Sequence, residues 1–291
     1  ILVFLWRKIF IERICVFSSS KKCIYVYLFS ILILPSILVF GARGGFQIKP
    51  ISILTAGIYA ESKNTPLVLN SAFTVIRTFG NSRLETYEFF ENEDEMFMFF
   101  KAEKKYFQPE LEFRDKNIVL IILEGFSNEH LNSINQNHIS EDNFAPFLDS
   151  LIHEGIFFNN TFANGKRSVE GIPSIISSTS SLMNTPFILS QYSNVEVHSF
   201  ANLLKRLNYH TAFFHGGKNG TMNLDYYSAA VGFEEYFGKN EYNNNKHFDN
   251  AWGIWDEYFL QFAANKITGF NDRFFACIFT LSSHHPYNVP Q

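Results

Sequence analysis

Hydrophobic and polar positions divide the chain into two regimes. From Cys23 to Ala42 no charged residue occurs, which is roughly the 20 residues needed to cross a bilayer. The pattern predicts a transmembrane helix over about 23–42, with Pro35 tolerable inside it. Residues 1–17 are apolar but carry Arg7, Lys8, Glu12 and Arg13, which fits the end of an earlier membrane helix or an interfacial one. Beyond Lys116 the pattern changes. Ile118 to Leu123 is a continuous apolar run, as expected of a strand buried on both faces of a parallel sheet. Further strands are expected at Gly155–Thr161, Tyr209–Phe214 and Arg273–Leu281, with helices at Ala145–Leu151, about 169–179 and Phe200–Leu207. Strands alternating with helices predict an α/β domain with a mainly parallel sheet.

Three regions follow: a membrane region over 1–42, an extracytoplasmic helical connector over 43–115, and the α/β domain over 116–291. The connector mixes aromatic residues with acidic and basic clusters, Glu91 to Glu95 and Lys101 to Lys105. The basic residues Lys21 and Lys22 precede the apolar span, which places them in the cytoplasm and everything after Arg43 outside it. A cleaved signal peptide is the competing reading of the same stretch. The chain starts with Ile and ends at Pro290-Gln291, directly after a loop-like segment, so it reads as an internal piece of a longer protein.

Composition adds limits. Phe occupies 34 positions, which is rich for a purely soluble chain and agrees with a membrane-attached protein. A net charge of −4 gives no electrostatic case for nucleic-acid binding. Three scattered cysteines, Cys15, Cys23 and Cys277, exclude a disulfide framework and a cysteine-rich zinc site.

Candidate chemistry gathers where the strands end. In open α/β sheets ligands sit at the carboxyl ends of the strands. Glu124, His215 and the pair His284/His285 all fall there. A carboxylate directly after six apolar residues needs a partner, either a divalent cation or the amides of the next turn. The stretch Asn164 to Ser174 is polar, bounded by Gly165 and Gly171, and opens onto helically spaced Ile172, Ile175 and Ile176. It brings Ser168 to a helix N-terminus beside Lys166 and Arg167, where an anion such as a phosphate is favoured. Ser168 is then either a nucleophile or a plain N-cap with Glu170 in the first turn. Asp249, Trp252, Trp255 and Asp256 form an aromatic-acidic cluster, read as helix packing or as the wall of a headgroup pocket.

From Asn117 onward the chain resembles the lipoteichoic acid synthase group of membrane-anchored phosphoglycerol transferases in the alkaline phosphatase/sulfatase superfamily. The resemblance rests on NIVLIILEGFS (117–127), APFLDSL (145–151), NGKRSVEGIPSI (164–175), YHTAFFHGGKNGTMNLD (209–225), AWGIWDE (251–257) and FFACIFTLSSHHPY (274–287). It implies an alkaline phosphatase/sulfatase-like sandwich preceded by a membrane region. Glu124 matches the first metal-binding acid, Ser168 the nucleophile that also contacts the metal, and His284 the headgroup-contacting histidine. Arg167, His215 and Trp252 join His284 as expected substrate-binding residues. The implied metal is Mn²⁺, with Mg²⁺ or Zn²⁺ as alternatives. The implied donor is phosphatidylglycerol, and the acceptor is an extracytoplasmic glycan or glycolipid. Phosphoethanolamine transfer, phosphodiester or sulfate-ester hydrolysis, and a non-catalytic lipid-binding envelope sensor are the alternatives.

Two departures qualify the resemblance, and a third feature sets the chain apart from true sulfatases. Met222 and Leu224 stand where the Gram-positive synthases carry a headgroup-binding Trp and Arg. The family's later Asp-His-Gly motif is not reached before Gln291, so the fragment is expected to be inactive. Ser168 is followed by Val169-Glu170-Gly171-Ile172, without the Pro and Arg that formylglycine formation requires, which argues against sulfate-ester hydrolysis.

Overall fold

The computed structural model describes residues 21–44, 51, 55–56, 59, 64–80, 87–100, 114–134, 143–193 and 195–289. Contacts divide the chain into two compact units, Ile1–Ser52 and Ile53–Gln291. In the first unit, α1 (Lys21–Arg43) runs for 23 residues with Pro35 inside it, about 35 Å of helix. Among the described residues no helix is long and apolar enough to cross a membrane. The stretch expected to span at 23–42 is therefore shown as a helix but not as a span. The reading of residues 1–17 lies outside the described residues.

In the second unit a single helical turn at Thr65–Val68 is followed by two short helices, α2 (Ser71–Thr78) and α3 (Glu93–Phe99). Each starts on an asparagine whose side-chain oxygen accepts a first-turn N–H: Asn70 from Phe73 at 3.1 Å and Asn92 from Glu95 at 2.9 Å. Neither helix buries a residue among those described.

The α/β part follows as β1 (Ile118–Ile122), α4 (Pro146–Ile152), α5 (Ser168–Ser177), α6 (Phe200–Lys205), β2 (His210–His215), α7 (Leu224–Ala230), β3 (Glu235–Phe237), α8 (Asp256–Ile267) and β4 (Phe274–Phe279). The four strands form one sheet in the order β1-β4-β2-β3, and every pairing is parallel. Every residue of β4 is buried, and so is every residue of β2 after His210, which explains their near-continuous apolar sequence. One sheet face carries Phe213, Phe275, Cys277 and Phe279. These pack with Val169, Ile172 and Ile176 of α5, Ala201 of α6, and Leu224 and Tyr227 of α7. The other face, with Ala212, Phe214, Ala276 and Ile278, packs on Ile254 and on Phe259 and Ala263 of α8. The result is a three-layer sandwich.

Two expectations are corrected. Among the described residues β1 is an edge strand, not one buried on both faces. Leu120 and Ile122 pack against the first core, while Val119 and Ile121 are exposed. An edge strand has one neighbour, and α8 covers the sheet over β2 and β4. The stretch Gly155–Thr161 is not a strand. A strand exists only through its ladder, and no described residue pairs with this segment.

Candidate active site

The carboxyl ends of β1, β2 and β4 open into three loops. Glu124 lies just past β1, and its N–H donates to Thr280 Oγ1 at 2.8 Å. Thr280 follows β4 and donates its own N–H to the Ile122 carbonyl at 3.0 Å. Gly125 then turns the chain with φ +60°, and a Cβ there would stand 3.0 Å from the Ser283 carbonyl oxygen. Only glycine combines that backbone with that approach at little cost. The β1 and β4 loops are thus clasped together.

Ser168 enters from α5. It is the first helical residue, so the N-cap expected at this serine falls instead on Arg167. Its hydroxyl does not cap the helix. Ser168 Oγ donates to Glu124 Oε2 at 2.6 Å, across 44 positions of sequence. Capping is done by Glu170, whose Oε2 accepts from the N–H groups of Lys166 at 3.1 Å and Arg167 at 3.2 Å. Arg167 has no acceptor to offer in return, so this is the glutamate half of a capping box alone. The Arg167 guanidinium donates to Glu170 Oε1 through Nε at 3.0 Å and through a terminal nitrogen at 2.5 Å. That contact, first among the causes, holds the Glu170 carboxyl below its usual range. Burial opposes it in part. Arg167, expected at the substrate, keeps its side chain exposed and already paired.

His284 stands half-buried on the β4 loop, with its ring centroid 4.4 Å from that of Trp252. Trp252 donates Nε1–H to the His285 carbonyl at 2.8 Å. Its loop is built by Asp249, whose Oδ1 accepts from the N–H groups of Ala251, Trp252 and Gly253 at 2.8, 2.8 and 3.0 Å. Gly253 bridges Gly217, and a Cβ on it would meet the Gly216 carbonyl oxygen at 2.4 Å. The aromatic-acidic cluster is therefore a brace that carries Trp252 to His284. Asp256 starts α8 and accepts from the N–H groups of Leu281 at 2.8 Å and Ser282 at 2.7 Å, fixing the loop before His284. Burial raises its carboxyl above the usual range, and the nearby Glu124 charge adds to this; the amide bonds oppose both.

His215 corrects another expectation. It ends β2 but is wholly buried, stacked on Phe279 with centroids 4.7 Å apart, its Nδ1 3.2 Å from the Phe279 carbonyl oxygen. Among the described residues its Nε2 has no hydrogen-bond partner, and Gly217 lies directly over it. Burial lowers its pKa to about 4, so the ring is neutral.

The residues present fit part of a hard-cation site. Glu124 and Ser168 offer two oxygen donors 2.6 Å apart, of the kind Mg²⁺ and Mn²⁺ prefer. Among the described residues no group of three or more His, Cys, Asp or Glu side chains gathers to complete one. Asp256 is close in charge but committed to backbone amides. Sequence reasoning named Glu124, Ser168, Trp252 and His284. It missed the supporting roles of Thr280 and Gly125, and it named Asp249 and Asp256 only as a cluster, without the backbone amides they hold. For Asp256 a signal existed, an acidic residue opening a helix; for Thr280 only its place after the last apolar strand.

Comparison with known proteins bears on the same region. The Sulfatase family pattern matches residues 116–291. The chain is 22% identical over 181 residues to the lipoteichoic acid synthase-like protein YvgJ of Bacillus subtilis (strain 168), covering 61% of this chain and 28% of that one. It is 24% identical over 196 residues to lipoteichoic acid synthase 1 of the same organism, covering 64% and 30%. Among solved structures, a protein of the alkaline phosphatase superfamily from Vibrio parahaemolyticus superposes with a TM-score of 0.54 at 26% identity, over 62% of this chain and 44% of that one. The lipoteichoic acid synthase LtaP from Listeria monocytogenes superposes at 0.51 with 24% identity, over 61% and 43%, a likeness of fold. The α/β sandwich expected from the sequence is the fold these structures share. The chain spans under a third of the length of these curated relatives and under half of these solved chains.

Proposed function

Because this chain belongs to the sulfatase family, we propose that it is the nucleophile-bearing part of a metal-dependent phosphotransferase that moves a phosphoglycerol group from phosphatidylglycerol to an extracytoplasmic glycan or lipid acceptor. The observation that carries this reading is the 2.6 Å hydrogen bond from Ser168 Oγ to Glu124 Oε2. A serine at the head of a helix ordinarily turns its oxygen to its own amides. This one spends its hydroxyl on a carboxylate at the end of a strand, the arrangement of an activated nucleophile.

In the first step Ser168 Oγ bonds to phosphorus while the P–O bond to diacylglycerol breaks. The hydroxyl proton passes to Glu124 Oε2 and from there to solvent, which restores the carboxylate, and the departing alkoxide takes a proton from solvent. In the second step an acceptor hydroxyl oxygen bonds to phosphorus, the Oγ–P bond breaks, and Oγ takes up the proton that the acceptor loses. Glu124 and Ser168 would also hold the cation, Mn²⁺ by preference with Mg²⁺ or Zn²⁺ as alternatives, whose charge would favour the alkoxide. The Trp252–His284 pair would seat the headgroup. The absence of Pro and Arg after Ser168 separates this chemistry from formylglycine-dependent sulfate-ester hydrolysis. The charge-free stretch within α1, preceded by Lys21 and Lys22, supports attachment to a membrane with the α/β domain outside the cytoplasm.

One observation favours a second donor. Met222 packs against the core and Leu224 is wholly buried, so neither offers a polar group to glycerol. Phosphatidylethanolamine is the alternative that this opens. The test uses the full-length protein in vesicles of either lipid with Mn²⁺, following diacylglycerol release. Ser168→Ala is expected to lower release by at least 1,000-fold from the preferred lipid. Release at the parent rate would remove Ser168 as nucleophile, and preference for phosphatidylethanolamine would replace phosphoglycerol.

A further inference from the structure

Along α2 and its C-terminal cap, Ala72, Val75, Ile76 and Phe79 recur at the spacing of one helical face. All four are exposed, Ile76 at 76% and Phe79 at 85%, and the helix buries no residue among those described. Leu67, in the turn just before it, is exposed as well. A single apolar residue at a surface needs no explanation, but a continuous stripe marks a contact. We propose that α2 lies flat on a phospholipid surface, with this stripe among the acyl chains and Arg77 beside the headgroups. The inference rests on the membrane attachment proposed above and adds a second point at which the chain meets lipid.

Three observations carry it. The first is charge. Between Asn64 and Gly80 no acidic residue occurs, and Arg77 is the one charged side chain. Its guanidinium lies over the Phe73 ring at 5.4 Å, so one short helix joins a cation to apolar surface. Phospholipid surfaces that contain phosphatidylglycerol are anionic, and such a segment approaches them without repulsion. The second is contrast. Residues 87–100 also expose large apolar side chains, Met98 at 78% among them, yet they hold five acidic residues and no basic one. An anionic surface repels that segment, so apolar exposure alone does not carry α3 to lipid. Charge thus separates the two helices, although both present apolar side chains. The third is the tether. A helix of eight residues is too short to hold firmly to a bilayer unaided. α2 follows closely in the chain on α1, whose charge-free stretch supports attachment to a membrane. Tethering raises the effective concentration of a second contact, and a short stripe then suffices.

The test uses the full-length protein with Cys15→Ser and Cys23→Ser, while Cys277 stays because it is buried. A bimane fluorophore is attached at Ile76→Cys or, for comparison, at Met98→Cys. The protein is reconstituted into vesicles of phosphatidylcholine and phosphatidylglycerol, with or without a nitroxide on the lipid acyl chains near the headgroup. The nitroxide is expected to quench the label at Ile76 strongly and the label at Met98 little. Adding Phe79→Glu should reduce the quenching at Ile76 to about half or less, since it puts a charge into the stripe. No quenching at Ile76 overturns the proposal. A label there that neither the nitroxide nor iodide in the water reaches also overturns it, and assigns the stripe to a protein contact. Equal quenching at Ile76 and Met98 overturns it, because charge would not then select α2. Quenching that Phe79→Glu leaves unchanged does so too, because the fluorophore itself would then drive insertion. An alkaline wash of the vesicles reports separately on attachment through α1. If the wash strips the protein, that attachment is wrong, and quenching at Ile76 in the unwashed vesicles still decides on α2.

Discussion

Ser168 shows how far a single residue could be read. Its neighbours Lys166 and Arg167 and the apolar spacing after it placed a hydroxyl at a helix start, where a cap and a nucleophile look alike in sequence. Folding removes the cap reading, because the cap role falls to Glu170 and the hydroxyl goes to Glu124. Gly125 is the opposite case. Nothing in its flanking residues marks it as more than a turn glycine, yet it holds φ +60° and faces the Ser283 carbonyl oxygen. Gly125→Ala adds a left-handed non-glycine residue and a Cβ at 3.0 Å from that oxygen. The expected cost is about 1–3 kcal/mol of stability, measured by denaturant unfolding. Diacylglycerol release should fall as well, because Glu124 and the loop bearing His284 are joined at this point. A variant as stable and active as the parent would show that the clasp between the two loops is dispensable.

At the scale of the element, α5 explains why Ser168 is held still. Val169, Ile172 and Ile176 lie on one face and are buried against the sheet, while Ile175 turns outward. The sequence announced this helix through the spacing of its isoleucines, and it starts within one residue of the expected position. The spacing did not say which isoleucine faces the core. Ile172 is 1% exposed and Ile175 is 41% exposed, so the same substitution should differ sharply along one helix. Ile172→Ala is expected to cost about 2–4 kcal/mol, and Ile175→Ala under about 1 kcal/mol, both read from unfolding midpoints. Equal costs at the two positions would contradict the packing. Gly155–Thr161 marks the limit of pattern reading, since its apolar residues resemble a strand but a strand also requires a neighbour to pair with.

For the molecule as a whole, the sandwich encloses a histidine that works against it in acid. Burial lowers the pKa of His215 to about 4 from an ordinary value of 6.5. The unfolded chain therefore binds a proton below pH 6.5 that the folded chain refuses until about pH 4. This contribution to stability is fully present above pH 6.5 and is lost as pH falls through that window. At 1.36 kcal/mol per unit, the loss approaches about 3 kcal/mol at its limit. Unfolding midpoints measured from pH 7.5 to 4.5 should fall with acid, and His215→Leu should flatten the slope across that interval. An unchanged slope would move the acid sensitivity to other groups.

The sequence by itself determined the parallel α/β class, the buried central strands and the loop that carries Ser168, because these depend on local periodicity and on which residues tolerate full burial. It also placed Glu124 and His284 at strand ends, where a shared site was to be expected. Only the tertiary structure decided what each side chain does there. Glu124 meets Ser168 because α5 packs on the sheet face to which β1 contributes Leu120 and Ile122. His215 turns inward beneath Gly217 while His284 rises against Trp252, although both lie at the carboxyl end of a strand. Which way a side chain points depends on the chain that folds over it, and that chain is distant in sequence.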